Sequence, residues 1–301
     1  MITTVSEFQD AVAFETYVLD KMLPVVSGGE NGSIDLRGDA TIAAIQVSFT
    51  DNLSSGAVES VKNDLAPLMF GAAWKVLDLA LELILNAGAL TADRRNGNEW
   101  SIIAKQSLAA QSAGDFHVLT SDRQVWVAIG ALYANTVEHR HCLVHRTALI
   151  DSNTGALGGK DRSGNALASL SLDQQKAIAR IASLVAEGIV GGGVTTRNRD
   201  HLCYFLDQVA PHTNQTPFGV TKQGAPATIY TDLKINDEHL VVDVQAAAEK
   251  AAGVFQDVLH FNVVFDIPDG TGRKLKANLE EIPSGQTVVD LDDLPDWLSL
   301  V

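Results

Sequence analysis

The chain has 301 residues, is 46% hydrophobic and 20% charged, and carries a net charge of −15. Its length allows a full core without disulfides or structural metals, and Cys142 and Cys203 form neither a disulfide framework nor a Cys-x-x-Cys metal pair, so a reducing, cytoplasmic setting is expected. The overall acidity argues against general electrostatic steering toward nucleic acid but leaves room for a local basic site.

The opening "MITTVSEFQD" has no basic stretch followed by an apolar one, so no signal peptide is expected. Val5, Phe8, Val12, Phe14, Val18 and Met22 recur near helical spacing and predict an amphipathic helix over 4–24. "SGGENGS" (27–33) breaks it, and 33–51 reads as one or two strands. Leu77, Leu81, Ile84 and Leu85, with Trp74 adjoining, give a helix over 63–87 that stops at Gly88. The apolar run 70–90 contains Lys75, Asp78 and Glu82, which makes it a core helix and not a membrane span.

After a polar loop, a second helix is expected over 99–110. A third starts at Ser121–Asp122, carries the stripe Trp126, Ile129, Tyr133 and Val137, and runs to about Arg146. Residues 151–166 are rich in turn formers. A fourth helix follows, capped by Ser171 and ended by Gly191–Gly193. Beyond it come four strands within 227–235, 260–267, 273–281 and 286–291, one helix over 244–259, and an acidic end expected to be a solvated tail with an apolar anchor. Charge divides the chain similarly: net −6 over 1–58, near neutral over 59–199 and net −10 over 200–301. Three parts are expected: an α+β segment over 1–58, a helical bundle over 59–192 and an acidic α+β segment over 200–301.

Residues 139–146, "HRHCLVHR", gather three histidines and two arginines at the end of the third helix. One reading is ordinary helix chemistry: His139 and Arg146 complement the macrodipole in the last turn. A second is a metal site, because Glu138, His141 and His145 lie at i, i+3 and i+7 on one face, with His117, His201 and Cys203 as further possible donors. A third is metal-free RNA cleavage, which needs a base for the 2′-hydroxyl, a cation for the phosphoryl oxygens and an acid for the leaving 5′-oxygen. Histidine and arginine suit these roles. Arg140 and His145 are about 140° apart around an ideal helix, so they converge only if the helix loosens or two copies of the chain face each other.

The stretch "RHCLVH" (140–145) resembles the signature of the HEPN superfamily, an arginine, a polar residue, three more residues and a histidine. The helix order around it, over about 60–192, is similar to that family's as well. The resemblance implies a mainly α, four-helix HEPN-like bundle, here with α+β flanking segments, frequent homodimerisation and metal-independent endoribonuclease activity without a cofactor. It implies that Arg140 and His145 are the catalytic pair and that His141 supports them. Thr147 stands where one toxin branch places tyrosine, which argues against that branch.

Arg146, Arg197 and Arg199 are candidate RNA contacts; the last two lie in "TRNRD" (196–200), which otherwise reads as a solvated hinge. "GALGGKDRSG" (155–164) lacks P-loop spacing and reads as a plain turn. The expected protein is a toxin or anti-phage effector that cleaves RNA, with a homodimer partner, a possible regulatory or antitoxin protein, and no membrane. The alternatives are a non-catalytic dimerisation or binding module, or a metal-dependent hydrolase using Glu138, His141 and His145.

Overall fold

The computed structural model describes residues 2–27, 33–35, 37, 44–46, 55–87, 94–95, 99–102, 104–105, 122–145, 147–213, 215–221, 227–236, 239–242, 244–245, 248–249, 253, 260–268, 270–285 and 287–301. The chain is mainly α and divides into two compact units, 1–28 with 51–220 and 29–50 with 221–301. This differs from the three consecutive segments expected. The first helix belongs with the bundle, and the strands that follow it belong with the C-terminal sheet. Charge density along the chain carries no information about which apolar faces pair.

In the helical unit, α1 (Val5–Ser27) opens with a reciprocal cap, in which the Glu7 N–H donates to Thr4 Oγ1 at 3.2 Å and the Thr4 N–H to Glu7 Oε2 at 3.1 Å. Its buried face is Phe8, Val12, Leu19, Leu23 and Val26, whereas Phe14, expected in that stripe, is 71% exposed. Helix α2 (Ser55–Ala87) begins earlier than the apolar stripe suggested, and its apolar residues from Ala66 to Leu85 are buried on nearly every side. That is the pattern of a central helix. It packs against α1, against α3 (Arg123–Val144) and against α4 (Leu172–Val190). Glu15 of α1 is buried and accepts from Lys75 of α2 at 2.6 Å.

Both predicted caps of the later helices form: the Asp122 carboxylate accepts from the N–H groups of Gln124 and Val125, and Ser171 and Gln174 make a reciprocal box. Two further helices, α5 (Thr196–Gln208) and the short α6 (Ala210–Thr213), pack against α3. "TRNRD" is therefore the first turn of a helix and not a hinge. The helix expected over 99–110 lies mostly outside the described residues; Glu99–Trp100 pairs with Arg94–Arg95 in a short hairpin.

The second unit holds a six-stranded mixed sheet. Its order is Leu298–Leu300, Lys274–Asn278, Phe261–Asp266, Ala227–Asp232, Ser33–Asp35 and Ala44–Gln46. The expected tail thus ends in an edge strand, because alternating Leu298 and Leu300 pair with Ala277 and Leu275. Ile229, Val263, Phe265 and Leu275 are fully or almost fully buried on one face. Most of the helix expected over 244–259 lies outside the described residues.

The segment that matters for the site joins α3 to α4. Leu149–Ile150 pairs with Leu157–Gly158 in an antiparallel hairpin, and a second bridge closes Lys160 onto Ala166. Three polar contacts seat this segment on the bundle. Asn63 of α2 donates to the Ser152 carbonyl at 3.0 Å, Gln175 of α4 donates to the Gly155 carbonyl at 2.8 Å, and the Cys142 thiol donates to the Lys160 carbonyl at 3.2 Å. Gly155 is left-handed, with φ 67°. At Gly159 a Cβ would stand 2.6 Å from Cys142 Sγ.

Gly159→Ala should therefore destabilise the helical unit by about 1–3 kcal/mol, the usual cost of overpacking. Thermal unfolding of Gly159→Ala, Cys142→Ala and the double variant checks this. The double variant should lose less than the sum of the singles, because removing the sulfur relieves the clash.

Candidate functional site

The third helix presents two different faces near its end. His141 and His145 are four residues apart, so they share one face. Their rings lie parallel, centroids 6.1 Å apart and planes inclined by 13°. His145 is also the helix C-cap, and its N–H donates to the His141 carbonyl at 2.9 Å. The two rings line a cleft of about 530 Å³ together with Glu138, Cys142, Lys160, Asp161 and Arg162. The joining segment thus delivers two cations to the histidines. Arg162 Nη2 is 3.0 Å from His141 Nε2 and 3.4 Å from Nδ1.

A guanidinium nitrogen this close to both ring nitrogens lies over the imidazole, so the contact sets a cation against the ring and disfavours a protonated His141. Burial, then the Arg162 charge, hold the His141 pKa below its ordinary value. His141 is accordingly a neutral imidazole at neutral pH, the form that accepts a proton.

Arg140 points elsewhere. Its guanidinium carbon lies 5.3 Å from the centre of the Trp74 ring of α2, a cation–π contact. Trp74 in turn stacks on Tyr133 at 4.7 Å, and the Tyr133 hydroxyl donates to Asp78 at 2.6 Å. Lys105, which is buried, bridges Asp78 at 3.0 Å and Glu82 at 3.2 Å. Burial and the Asp78 carboxylate push the Tyr133 pKa up, so its hydroxyl keeps its proton. Arg140 thus sits at the end of a chain of inward contacts and does not line the cleft of His141 and His145. The wide angular separation of residues 140 and 145 persists in the folded helix.

The other sequence candidates are placed as follows. His139 is 2% exposed and lies within hydrogen-bonding distance of the Ala168 carbonyl, Nε2 to oxygen 2.8 Å, so Nε2 carries the proton. It meets Phe70 and His212 edge-on, at 6.4 and 6.2 Å, and is a packing residue. Arg199 forms an ion pair with Asp122 at 2.6 Å, at the N-cap of α3. That helix has 22 residues, and at about 1.5 Å per residue its ends are roughly 33 Å apart. Arg199, with Arg197 in the same turn of α5, is therefore far from the cleft within one chain, and an N-cap contact explains Arg199 better than a phosphate does. Arg146 lies outside the described residues.

Glu138, His141 and His145 do share the cleft, yet among the described residues no group of three or more His, Cys, Asp or Glu side chains is placed to hold a metal ion. The sequence reading missed Lys160 and Arg162. Their only signal was two cations inside a glycine-rich turn close behind the histidines. No family model, curated protein or solved structure matches the chain. Among the described residues no helix is long and apolar enough to cross a membrane.

Burial holds the pKa of His139 and of His212 below the ordinary histidine value. The unfolded chain takes up these protons near pH 6.5, before the folded one does. Stability should be level above that pH and fall as the pH drops below about 6.5. Melting temperatures between pH 8 and pH 5 test this. His139→Gln, which keeps an N–H donor but cannot be protonated, should flatten part of the acid loss.

Proposed function

We propose that the helical unit is a metal-independent endoribonuclease of the HEPN type. The observation that carries this reading is the parallel pair His141 and His145 sharing one cleft with Arg162 and Lys160. Two imidazoles and two cations supply the groups that transesterification of RNA requires. His141, neutral and beside a cation, takes the proton of a 2′-hydroxyl. The O2′–phosphorus bond forms as the phosphorus–O5′ bond breaks, and the leaving O5′ receives a proton from His145. The products are a 2′,3′-cyclic phosphate and a 5′-hydroxyl. The ring separation lets each histidine reach a different oxygen of one phosphodiester and prevents them from bonding to each other.

In this scheme Arg140 is a positioning residue within its own chain. It fixes the end of α3 against α2 through Trp74. The homodimer implied by the motif belongs to the same proposal. Val144, Leu149 and Ile150 are 56%, 64% and 45% exposed beside the cleft, and a second copy covering this apolar rim would shield it and close the groove on RNA. A regulatory or antitoxin protein could compete for the same rim. The metallohydrolase alternative would draw on Glu138, His141 and His145, which line the same cleft, and has the Arg162 guanidinium against it at His141.

Purified chain incubated with mixed RNAs should generate cyclic-phosphate ends, undiminished by EDTA. His141→Ala and His145→Ala should each lower the rate by about 10²–10⁴, the usual contribution of an acid–base group. Retention of more than half the activity in either variant excludes it from the chemistry. Sedimentation of Ile150→Glu should show a smaller species than the unaltered chain if the rim is the dimer contact.

A further inference from the structure

Arg162 occupies an unusual position for a guanidinium. Among the described residues its hydrogen-bonding partner is the ring of His141, and no carboxylate forms an ion pair with it. Its neighbour Asp161 is engaged by the turn. The Asp161 carboxylate accepts from the Ser163 N–H at 2.9 Å, from the Asn165 N–H at 2.8 Å and from Asn165 Nδ2 at 2.9 Å. The Asp161 N–H donates to the Asn165 carbonyl at 2.9 Å, and Gly164 turns the chain with φ 87°. Arg162 is thus carried by a turn locked on both sides of it, and the contact of Gly159 with Cys142 fixes that turn over α3. A guanidinium that forms no ion pair among the described residues, held in a cleft beside a second cation, Lys160, can take an anion; Glu138 and Asp161 line the same cleft.

We propose that Arg162, and not Arg140, is the phosphate-binding cation of this cleft, resting on the His141 ring while the cleft is empty and passing to a phosphodiester oxygen when substrate enters. The inference rests on the reading of the cleft as a phosphodiester site. In the empty state the arginine favours the neutral form of His141, because a protonated ring would set one cation against another. The groups facing His141 from α3 are Glu138 and His145, and from the turn Lys160, Asp161 and Arg162; Arg140 acts on it only at a distance, through its charge. The burial and the arginine charge that lower the His141 pKa agree with this arrangement. Once the guanidinium forks onto the non-bridging oxygens, the His141 ring is uncovered to accept the 2′-hydroxyl proton, and the same cation meets the charge that builds on phosphorus. The ligand triggers exposure of its own base.

The test follows the imidazole resonances of the full chain by NMR as inorganic phosphate is added, in the unaltered protein, Arg162→Gln and Arg162→Lys. In the unaltered protein phosphate should shift the His141 resonance and raise the pH at which it titrates. In Arg162→Gln phosphate affinity should fall by about ten- to hundredfold, the loss of a charge-assisted bond, and His141 of the ion-free protein should titrate at higher pH. Arg162→Lys should restore part of the affinity. The buried His139 resonance reports that the fold is intact.

Phosphate that leaves His141 undisturbed in the unaltered protein overturns the proposal. So does Arg162→Gln with unchanged affinity and unchanged His141 titration. No RNA enters these measurements. A protein that binds phosphate through Arg162 but leaves RNA intact retires the ribonuclease reading and keeps the anion site. One that cleaves RNA equally well with Arg162→Gln does the reverse.

Discussion

Residues 147–171 can rest on the end of α3 only because Gly159 has no side chain. The hairpin, the Lys160–Ala166 bridge and the Asp161 turn all hang from that close approach, and Asn63 and Gln175 hold the far side of the same segment to α2 and α4. Displacing it would leave His141 and His145 as two exposed rings on a helix end. With it in place they face a cleft with two cations and a fixed backbone. Overpacking at one atom pair is thus coupled to the electrostatics of the site, since interiors relieve such clashes by shifting whole segments.

The end of α3 separates two kinds of charge. Toward α2, Arg140 lies over Trp74 and joins the stacked and ion-paired chain that runs through Tyr133 and Asp78 to Lys105 and Glu82. Buried charges of this sort persist only when each has partners, and this set is mutually satisfied. Toward solvent, His141, Arg162 and Lys160 face open volume in a cleft that Glu138 and Asp161 also line. The inward set fixes the helix; the outward set is the one free to meet a ligand. An acidic chain can carry such a site because its excess carboxylates lie largely in other segments, outside 59–199.

The helical elements were readable to the extent that they depend on local chemistry. The caps at Asp122 and Ser171, the glycine stop after α4 and the apolar stripe of α3 occur where hydrogen-bonding side chains and 3.6-residue periodicity place them. Phe14 departs from the stripe because a periodic apolar residue on its edge is decided by the neighbour it meets, and none among the described residues covers it. Helix α5 was missed because its first turn, rich in arginine and asparagine, resembles a polar loop. Its cap at Thr195 and its burial of Leu202 and Leu206 become evident only when it packs. The acidic C-terminal end gave no sign that its last leucines complete a sheet edge.

By itself the sequence determined that the third helix ends in histidine and arginine and that residues 141 and 145 share a face, because helix geometry fixes the angle between them. It equally determined that Arg140 and His145 diverge. It could not say which cation would meet the histidines, since Lys160 and Arg162 reach them only by a chain reversal whose course depends on contacts distant in sequence. Tertiary structure decided that, and it turned Arg140 inward and tied Arg199 to the opposite end of α3. The physical reason is range. Periodicity and capping act within a few residues, whereas the pairing of a cation with an imidazole across a folded turn is set by packing of the whole unit.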